Sequence, residues 1–329
     1  MLVLRTTAIV IALISGCAAV PVGGEGDDLA LGEVGPDDNK ADGRWGYATE
    51  CKPIPEVEPL IDPAITLSID GLTLHLVDRA GGYDAVFPVG VGTIDERASS
   101  SISGQSETYF PIHETRRQDF EIDTTDAWSF NPCRVWWTDP DTTEMLPVFA
   151  GLPFMRFFGS YGIHGPITGY REPDGGHLVR GYVSHGCVRM EAAHVLEVYS
   201  RTSGVDGVPV HLQREPERRP DGRRVDVTDR WIGSECDVDT DCGFEAAVCE
   251  IHPSGGHGFC SLPCARLCPD RPGYPMTACV ASTTIPNSGM CVPREERKNR
   301  GCRPYDRFVP RFQRRFGASG AAVPVCVPQ

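Results

Sequence analysis

The chain has 329 residues, room for about two domains, and its 31 basic against 45 acidic side chains give a formal net charge of −14. Gly (36) and Pro (28) supply about a fifth of it, above the roughly 12% of ordinary usage, which disfavours a helical bundle and favours strands, turns and loops. A hydrophobic share of 40% rules out a wholly disordered chain, and the acidic balance argues against a general nucleic-acid binder.

At the N-terminus, Arg5 precedes a short apolar core over residues 6–14, closed by Ile14-Ser15-Gly16-Cys17. This reads as a signal peptide, residues 1–16, too short for a membrane span. Small residues followed at once by Cys resemble the bacterial lipoprotein signal, which implies acylation of Cys17 and durable anchoring at about 0.8 kcal/mol per buried CH₂. The alternative is an ordinary secretory signal with a chance Cys. Ala18 in place of Asp favours the outer membrane, on the periplasmic side of a bacterial envelope. Residues 17–50 are rich in Gly and acids, lack apolar periodicity, and read as a flexible acidic linker.

From residue 61 the texture becomes that of strands. Residues 65–70 and 72–77 alternate apolar and polar about Asp70-Gly71, which predicts a hairpin with a two-residue turn. Residues 85–92 read as a third, buried strand running into a Gly turn, and 97–105 as a Ser-rich loop. Residues 129–139 hold Cys133 and the Trp136-Trp137 pair, and the apolar stretch 147–158 leads into Tyr161-Gly162-Ile163-His164. Residues 190–202 have helical spacing, with Ala193, Leu196 and Tyr199 beside Ala192 and Val195 on one apolar face, and Gly204 as the stop. Residues 208–212 form a last strand. The expected division is a catalytic unit over 51–213, a charged connector over 214–232, and a Cys-rich domain with a basic tail over 233–329.

Ten of the fourteen cysteines fall between Cys236 and Cys326, in a stretch with few large apolar residues. That crowding predicts a disulfide framework in an oxidising compartment, with cross-links contributing about 2–4 kcal/mol each. The eight cysteines from Cys236 to Cys291 allow 105 pairings, so none is assigned. Cys51 with Cys133 and Cys302 with Cys326 are natural pairs. With Cys17 acylated and Cys187 kept as a thiol, the remaining twelve pair fully, leaving one free thiol.

The segment richest in chemistry runs from His164-Gly165-Pro166 to Ser184-His185-Gly186-Cys187-Val188-Arg189-Met190. A Cys nucleophile needs a base to form thiolate and oriented N–H groups to hold an oxyanion. The histidines meet the first need, and amides of the Gly186-Cys187 turn the second. A helix starting just after Cys187 would place its positive end near the sulfur.

This pattern resembles the signature of L,D-transpeptidases of the YkuD type, and the strands from 65 to 212 fall in the order that family shows. The resemblance implies a mostly β, β-sandwich-like catalytic domain with one main helix after the catalytic Cys, beside which stands the small disulfide-rich C-terminal domain. It implies attack by Cys187 on a peptidoglycan tetrapeptide stem and a 3→3 cross-link to a second stem. His164 is then the general base and Gly165 orients its ring. Ser184 and His185 shape the site, and the Gly186 and Cys187 amides face the oxyanion. Arg189 holds a substrate carboxylate, with a structural salt bridge as its alternative. The loop between His164 and Ser184 is longer than usual, explained by an inserted Pro173-Asp174-Gly175-Gly176 turn. No cofactor and no metal are expected.

Competing readings stay open. His177 is an alternative base. His164, His185 and Cys187 are legitimate zinc ligands without an evident fourth. Cys260, Cys264 and Cys268 read as disulfide rather than metal cysteines, and the Asp-rich loop from Cys236 to Cys242 lacks the full pattern of a Ca²⁺ loop. The same acyl-enzyme with water as acceptor would be an L,D-carboxypeptidase, and transfer to a Lys would attach an outer-membrane protein to the wall. A non-enzymatic alternative is a wall-binding lipoprotein. The partner of the Arg-rich tail is unknown.

Overall fold

The computed structural model describes residues 49–93, 115, 119–138, 143–169, 172, 174–252 and 255–329. The expected signal peptide, Cys17, all but the end of the expected acidic linker and the Ser-rich stretch 97–105 lie outside those residues. In chain order the first unit contains β1 (Pro63–Ser68), β2 (Thr73–Asp78), β3 (Asp84–Pro88), β4 (Gly90–Gly92), β5 (Asp119–Ile122), β6 (Phe130–Arg134), β7 (Trp137–Thr138) and β8 (Met145–Leu146). Next come β9 (Leu152–Phe158), β10 (Tyr161–His164), β11 (Gly181–Ser184), β12 (Val188–Arg189), helix α1 (Ala192–Thr202) and β13 (Val208–Gln213).

Two sheets carry this unit, one ordered β3-β2-β1-β13-β5 and the other β11-β4-β12-β10-β9-β6. Alternation along each strand sends one set of side chains into a shared core. Ile65, Leu67, Leu74, Leu76 and Val210 of the first sheet meet Met155, Ile163 and Val188 of the second, and α1 adds Val195, Val198 and Tyr199. This is the mostly β, sandwich-like architecture with one main helix that the sequence predicts. Among the described residues no helix is long and apolar enough to cross a membrane.

Three local expectations are corrected. The β1–β2 connection is not a two-residue turn: Ser68 pairs with Thr73, leaving four residues, Ile69 to Leu72, in the loop. Ile69 and Asp70 instead continue alongside the parallel neighbour, their amides donating to the carbonyls of Gln213 and Arg214, and Leu72 takes a positive φ of 52° to close the turn. Residues 85–92 are two strands rather than one. β3 pairs in the first sheet and β4 in the second, and the chain crosses the core at Val89. Pro88 lacks the N–H that would carry the ladder onward. Finally, the buried face of α1 is Val195, Val198, Tyr199 and Thr202, while Ala193 is exposed. Tyr199 sets that rotation by stacking on Phe130 at 4.1 Å.

Residues 214–232, expected as a charged connector, pack in part against the first unit. Glu217 donates its N–H to Ser68 Oγ at 3.0 Å and its carboxylate meets His75 Nδ1 at 3.0 Å, while Val225 and Val227 are buried.

Beyond them lie β14 (Glu235–Cys236), β15 (Val248–Glu250), β16 (Gly258–Ser261), β17 (Pro263–Cys264), β18 (Thr277–Ala281), β19 (Gly289–Pro293), β20 (Phe308–Gln313) and β21 (Val323–Pro328). They form three small sheets, β14-β16-β15, β17-β19-β18 and β20-β21. Bridges join Cys236 to Cys249, Cys242 to Cys260, Cys264 to Cys279, Cys268 to Cys291, and Cys302 to Cys326. Cys51 is joined to Cys133. The expected disulfide framework and both suggested pairs are present. The basic stretch is folded, its last part being the β20–β21 hairpin.

A buried ion network joins the two units. Asp226 accepts from Arg180 at 3.0 Å, and Arg224 donates to the carbonyls of Gly71 and Pro304, both at 2.7 Å. The Arg180 amide donates to Gly273 O at 2.9 Å. Tyr274 and Tyr305 complete the walls of a cavity of about 30 Å³ there, room for about one water. Burial pushes the Asp226 carboxyl up, but Arg180 and Arg224 more than offset it and hold it below its ordinary value. Asp226→Asn leaves the buried Arg180 guanidinium without its paired anion and removes a nearby negative charge from Arg224, and an expected loss of about 3–5 kcal/mol should be read from urea unfolding. An unchanged midpoint would mean that water supplies the missing partner.

Candidate active site

The site is built on the outward face of the second sheet. β10 runs parallel to β12, with Ile163 opposite Val188 and His164 opposite Arg189. It runs antiparallel to β9, with Ile163 opposite Met155 and His164 opposite Phe154. Ile163, Met155 and Val188 enter the sandwich core, so alternation sends His164, Phe154 and Arg189 to the other face. There Cys187, Phe149, Phe154, Val148 and Ile167 form a second apolar cluster, flanked by Trp137, Leu146 and Tyr161. Cys187 and His164 are both fully buried.

His164 is held on every side. Its Nδ1 lies 2.8 Å from the Gly165 carbonyl, so Nδ1–H donates there and Nε2 is assigned as the unprotonated nitrogen. The ring stacks on Phe154 at 5.7 Å and stands edge-on to Phe149 at 5.1 Å. Nε2 is buried and has no hydrogen-bond partner among the described residues. Burial, then the Arg189 charge, push the imidazole down to about 3 against the pull of the Gly165 bond, with Arg134 adding to the depression. Arg134 lies over the Phe154 ring at 4.2 Å. His164 is therefore a neutral imidazole with an unoccupied lone pair. Burial also draws the Arg189 guanidinium down to about 10.

Around the sulfur, the Gly162 N–H points at Cys187 Sγ from 3.4 Å. A Cβ at residue 162 would lie 2.6 Å from the Phe154 ring and 2.7 Å from Met155 O, so only Gly fits. Gly186 adopts φ 105° in the turn before β12. Ser184 Oγ donates to Cys187 O at 2.5 Å and accepts the Gly186 N–H at 3.2 Å. The Gly186 amide thus turns inward to Ser184 and does not face an oxyanion, a correction of the expected role. His185 is half-buried in the same turn. α1 does not start just after Cys187 either. β12 intervenes, and the helix N-cap is Glu191, whose carboxylate accepts the Leu178 N–H at 2.8 Å.

No described cysteine is a free thiol, Cys187 included, so the expected single free thiol is not met and chemistry at this sulfur requires its reduced form. His177 is exposed, with its carbonyl taken by Thr168 Oγ1 at 2.6 Å, and stands apart from the buried site. The inserted turn does close, with the Gly169 N–H donating to Gly175 O at 3.0 Å. Cysteines close enough to share a metal are Cys236, Cys242 and Cys260, and Cys264, Cys268 and Cys279, and every one is in a disulfide. In the Asp-rich loop, Asp241 accepts the Asp237 and Val238 amides and Asp237 pairs with Arg223 and His257, so these carboxylates are already used within the protein.

Sequence reasoning singled out His164, Gly165, Ser184 and Cys187, but not Gly162, Phe149, Phe154 and Arg134, which surround them. Gly162 had a signal, since it sits two residues before His164 and hence on the same strand face. The others are joined to the motif only in three dimensions.

The L,D-transpeptidase catalytic domain model of the YkuD family matches residues 62–227. No curated protein matches the chain. Among solved structures, an L,D-transpeptidase from Xylanimonas cellulosilytica shares 16% identity over 49% of this chain and 64% of its own, with a TM-score of 0.26. One from Mycobacterium smegmatis shares 19% over 46% of this chain and 58% of its own, with a TM-score of 0.30. One from Stackebrandtia nassauensis shares 16% over 50% and 60%, with a TM-score of 0.28. The chain spans less than two thirds of each.

Two measurements test this geometry. Unfolded, the His164 imidazole takes up a proton near pH 6.5; folded, only near 3. The unfolded state binds more protons between those values, so stability falls as pH drops from about 6.5 toward 3, by up to about 1.4 kcal/mol per unit from this group. Urea unfolding at pH 7, 5.5 and 4 should show a shallower slope in His164→Phe, and equal slopes would place the dependence elsewhere. Gly162→Ala should lower stability by about 1–3 kcal/mol through overpacking against Phe154 and Met155. An unchanged thermal midpoint would show that the Phe154 ring gives way.

Proposed function

The chain belongs to the YkuD family of L,D-transpeptidase catalytic domains, and on that footing we propose that it is a working peptidoglycan L,D-transpeptidase forming 3→3 cross-links through an acyl-enzyme on Cys187. The reduced Cys187 sulfur attacks the carbonyl of the diaminopimelate residue in a tetrapeptide stem, and His164 Nε2 takes the thiol proton. A new C–S bond forms as the C–N bond to the terminal D-Ala breaks, and the departing amine leaves with the proton from His164. The amine of a second stem then attacks the thioester, gives a proton to His164, and releases Cys187 as thiol. No metal or cofactor enters this sequence.

The observation that carries the reading is the state of His164: a buried, neutral imidazole, its Nδ1–H bound to Gly165 O and its Nε2 lone pair unoccupied. A general base that must accept a proton before returning it needs that tautomer. Gly162 N–H supports the reading, because a donor at 3.4 Å favours negative charge on sulfur. Arg189, buried on the same face, is assigned to a stem-peptide carboxylate. The Cys187 amide is the assigned oxyanion donor. We place the protein in the cell envelope, anchored through lipid on Cys17, on the strength of the signal sequence.

The test incubates the full chain in detergent, under mild reductant, with disaccharide tetrapeptides, and reads products by mass spectrometry. A dimer short of one D-Ala that disappears in Cys187→Ala, with the fold intact by circular dichroism, is the expected result. A Cys187-dependent tripeptide monomer would make the enzyme a carboxypeptidase. Turnover that survives in Cys187→Ala ends the mechanism, and no reaction at all moves the reading to a wall-binding protein or to transfer onto a protein Lys.

A further inference from the structure

We propose that Thr115 is a positioning residue for acyl transfer, its hydroxyl fixing the Gly186–Cys187 peptide plane so that the Cys187 amide faces the reacting carbonyl. The inference rests on the proposed transpeptidase reading and names a part of that site outside its sequence motif.

Thr115 is fully buried. Its Oγ1 accepts the N–H of Gly92, in β4, at 2.8 Å and donates to the carbonyl of Gly186 at 3.1 Å. A hydroxyl has one proton, so accepting from Gly92 and donating to Gly186 settles its orientation. β4 lies between β11 and β12, the two strands that the catalytic turn connects. The bond therefore ties the turn to the strand that lies between the two it connects.

The turn needs such a tie. Gly186 sits at φ 105°, a conformation that glycine adopts freely and leaves freely. Ser184 Oγ restrains the Gly186 N–H and the Cys187 carbonyl. Neither bond restrains the peptide between them, which could rotate about the flanking single bonds while both persisted. The Gly186 carbonyl belongs to that peptide, and Thr115 is what holds it. No peptide among the described residues is cis. In a planar trans peptide the C=O and the following N–H point in opposite directions. Fixing the Gly186 carbonyl on Thr115 therefore aims the Cys187 N–H away from Thr115 and β4. A donor aimed in advance costs no reorganisation when charge develops, and loss of one such donor lowers kcat by about 10²–10³-fold. Loss of the group that aims it should remove part of that.

The experiment uses the full chain with the disaccharide tetrapeptide, comparing wild type with Thr115→Val, which keeps the shape and loses the hydroxyl, and Thr115→Ser, which keeps the hydroxyl. Thr115→Val is expected to lower kcat by about 10–100-fold with KM changed less than threefold, and Thr115→Ser to stay within about threefold of wild type in both. Wild-type kcat in Thr115→Val overturns the proposal. So does a Thr115→Ser variant as impaired as Thr115→Val, because the methyl group and not the hydroxyl would then matter. If Thr115→Val fails to fold, Thr115→Ser still decides, since a folded variant with its kcat lost has the same consequence. An unsubstituted protein without acyl-transfer activity overturns the transpeptidase reading, and this inference with it. An active wild type with an unimpaired Thr115→Val overturns this inference alone.

Discussion

β10 and β12 lie side by side and parallel, brought together from either end of a long excursion of the chain, with His164 opposite Arg189 and Ile163 opposite Val188. Because strand side chains alternate, this one register sorts the neighbourhood into two populations. Ile163 and Val188 enter the sandwich core, and His164, Arg189 and Cys187 fall on the far face. A slip of one residue would exchange them, burying charge in the apolar core and turning aliphatic side chains onto the chemical face. Packing of Ile163, Val188 and Met155 thus enforces the geometry of the site, and the stability of the fold and the alignment of the chemical groups are one constraint.

That face carries a cost which the structure meets in a particular way. Burying an imidazole beside two guanidinium groups would be prohibitive if the ring were charged. The ring stays neutral, and what remains is an uncharged heterocycle on Phe154 and against Phe149. Gly165 O binds the one N–H the ring retains. The arrangement that makes burial tolerable also leaves the Nε2 lone pair ready to accept a proton.

The C-terminal domain solves a different problem. Its apolar cluster is small, built around Phe259, Val280, Met290, Val292 and Phe308, and five disulfides supply constraint that the core lacks. It does not hang from the catalytic unit. Gly181, which opens β11, has the Lys298 carbonyl so close that a Cβ there would lie 2.3 Å from it. Arg180, the residue before, is paired with Asp226. β11 ends in Ser184, whose hydroxyl bonds the Gly186 amide and the Cys187 carbonyl, so the junction grips the strand that leads into that turn.

Much of this was legible from residue order. The strands were readable because alternation is local, and His164, Gly165, Ser184 and Cys187 because two short segments carry them. Cys51–Cys133 and Cys302–Cys326 were suggested as natural pairs and are formed. Long-range competition settled the rest. Asp70-Gly71 has the chemistry of a two-residue turn, but pairing with Gln213 and Arg214 draws Ile69 and Asp70 onto β13 and widens it. Residues 85–92 look like one strand because periodicity does not show to which sheet each half belongs. The Gly186 amide was expected to face an oxyanion, and only the position of the Ser184 hydroxyl turns it inward. Thr115 lies 71 residues before Gly186, and no pattern within either segment indicates that they touch. Residue type and spacing determined which groups are chemically able, because those properties belong to short stretches of chain. Which way each amide points and which hydroxyl holds it were decided only by the tertiary structure, because a hydrogen bond depends on where distant segments come to rest.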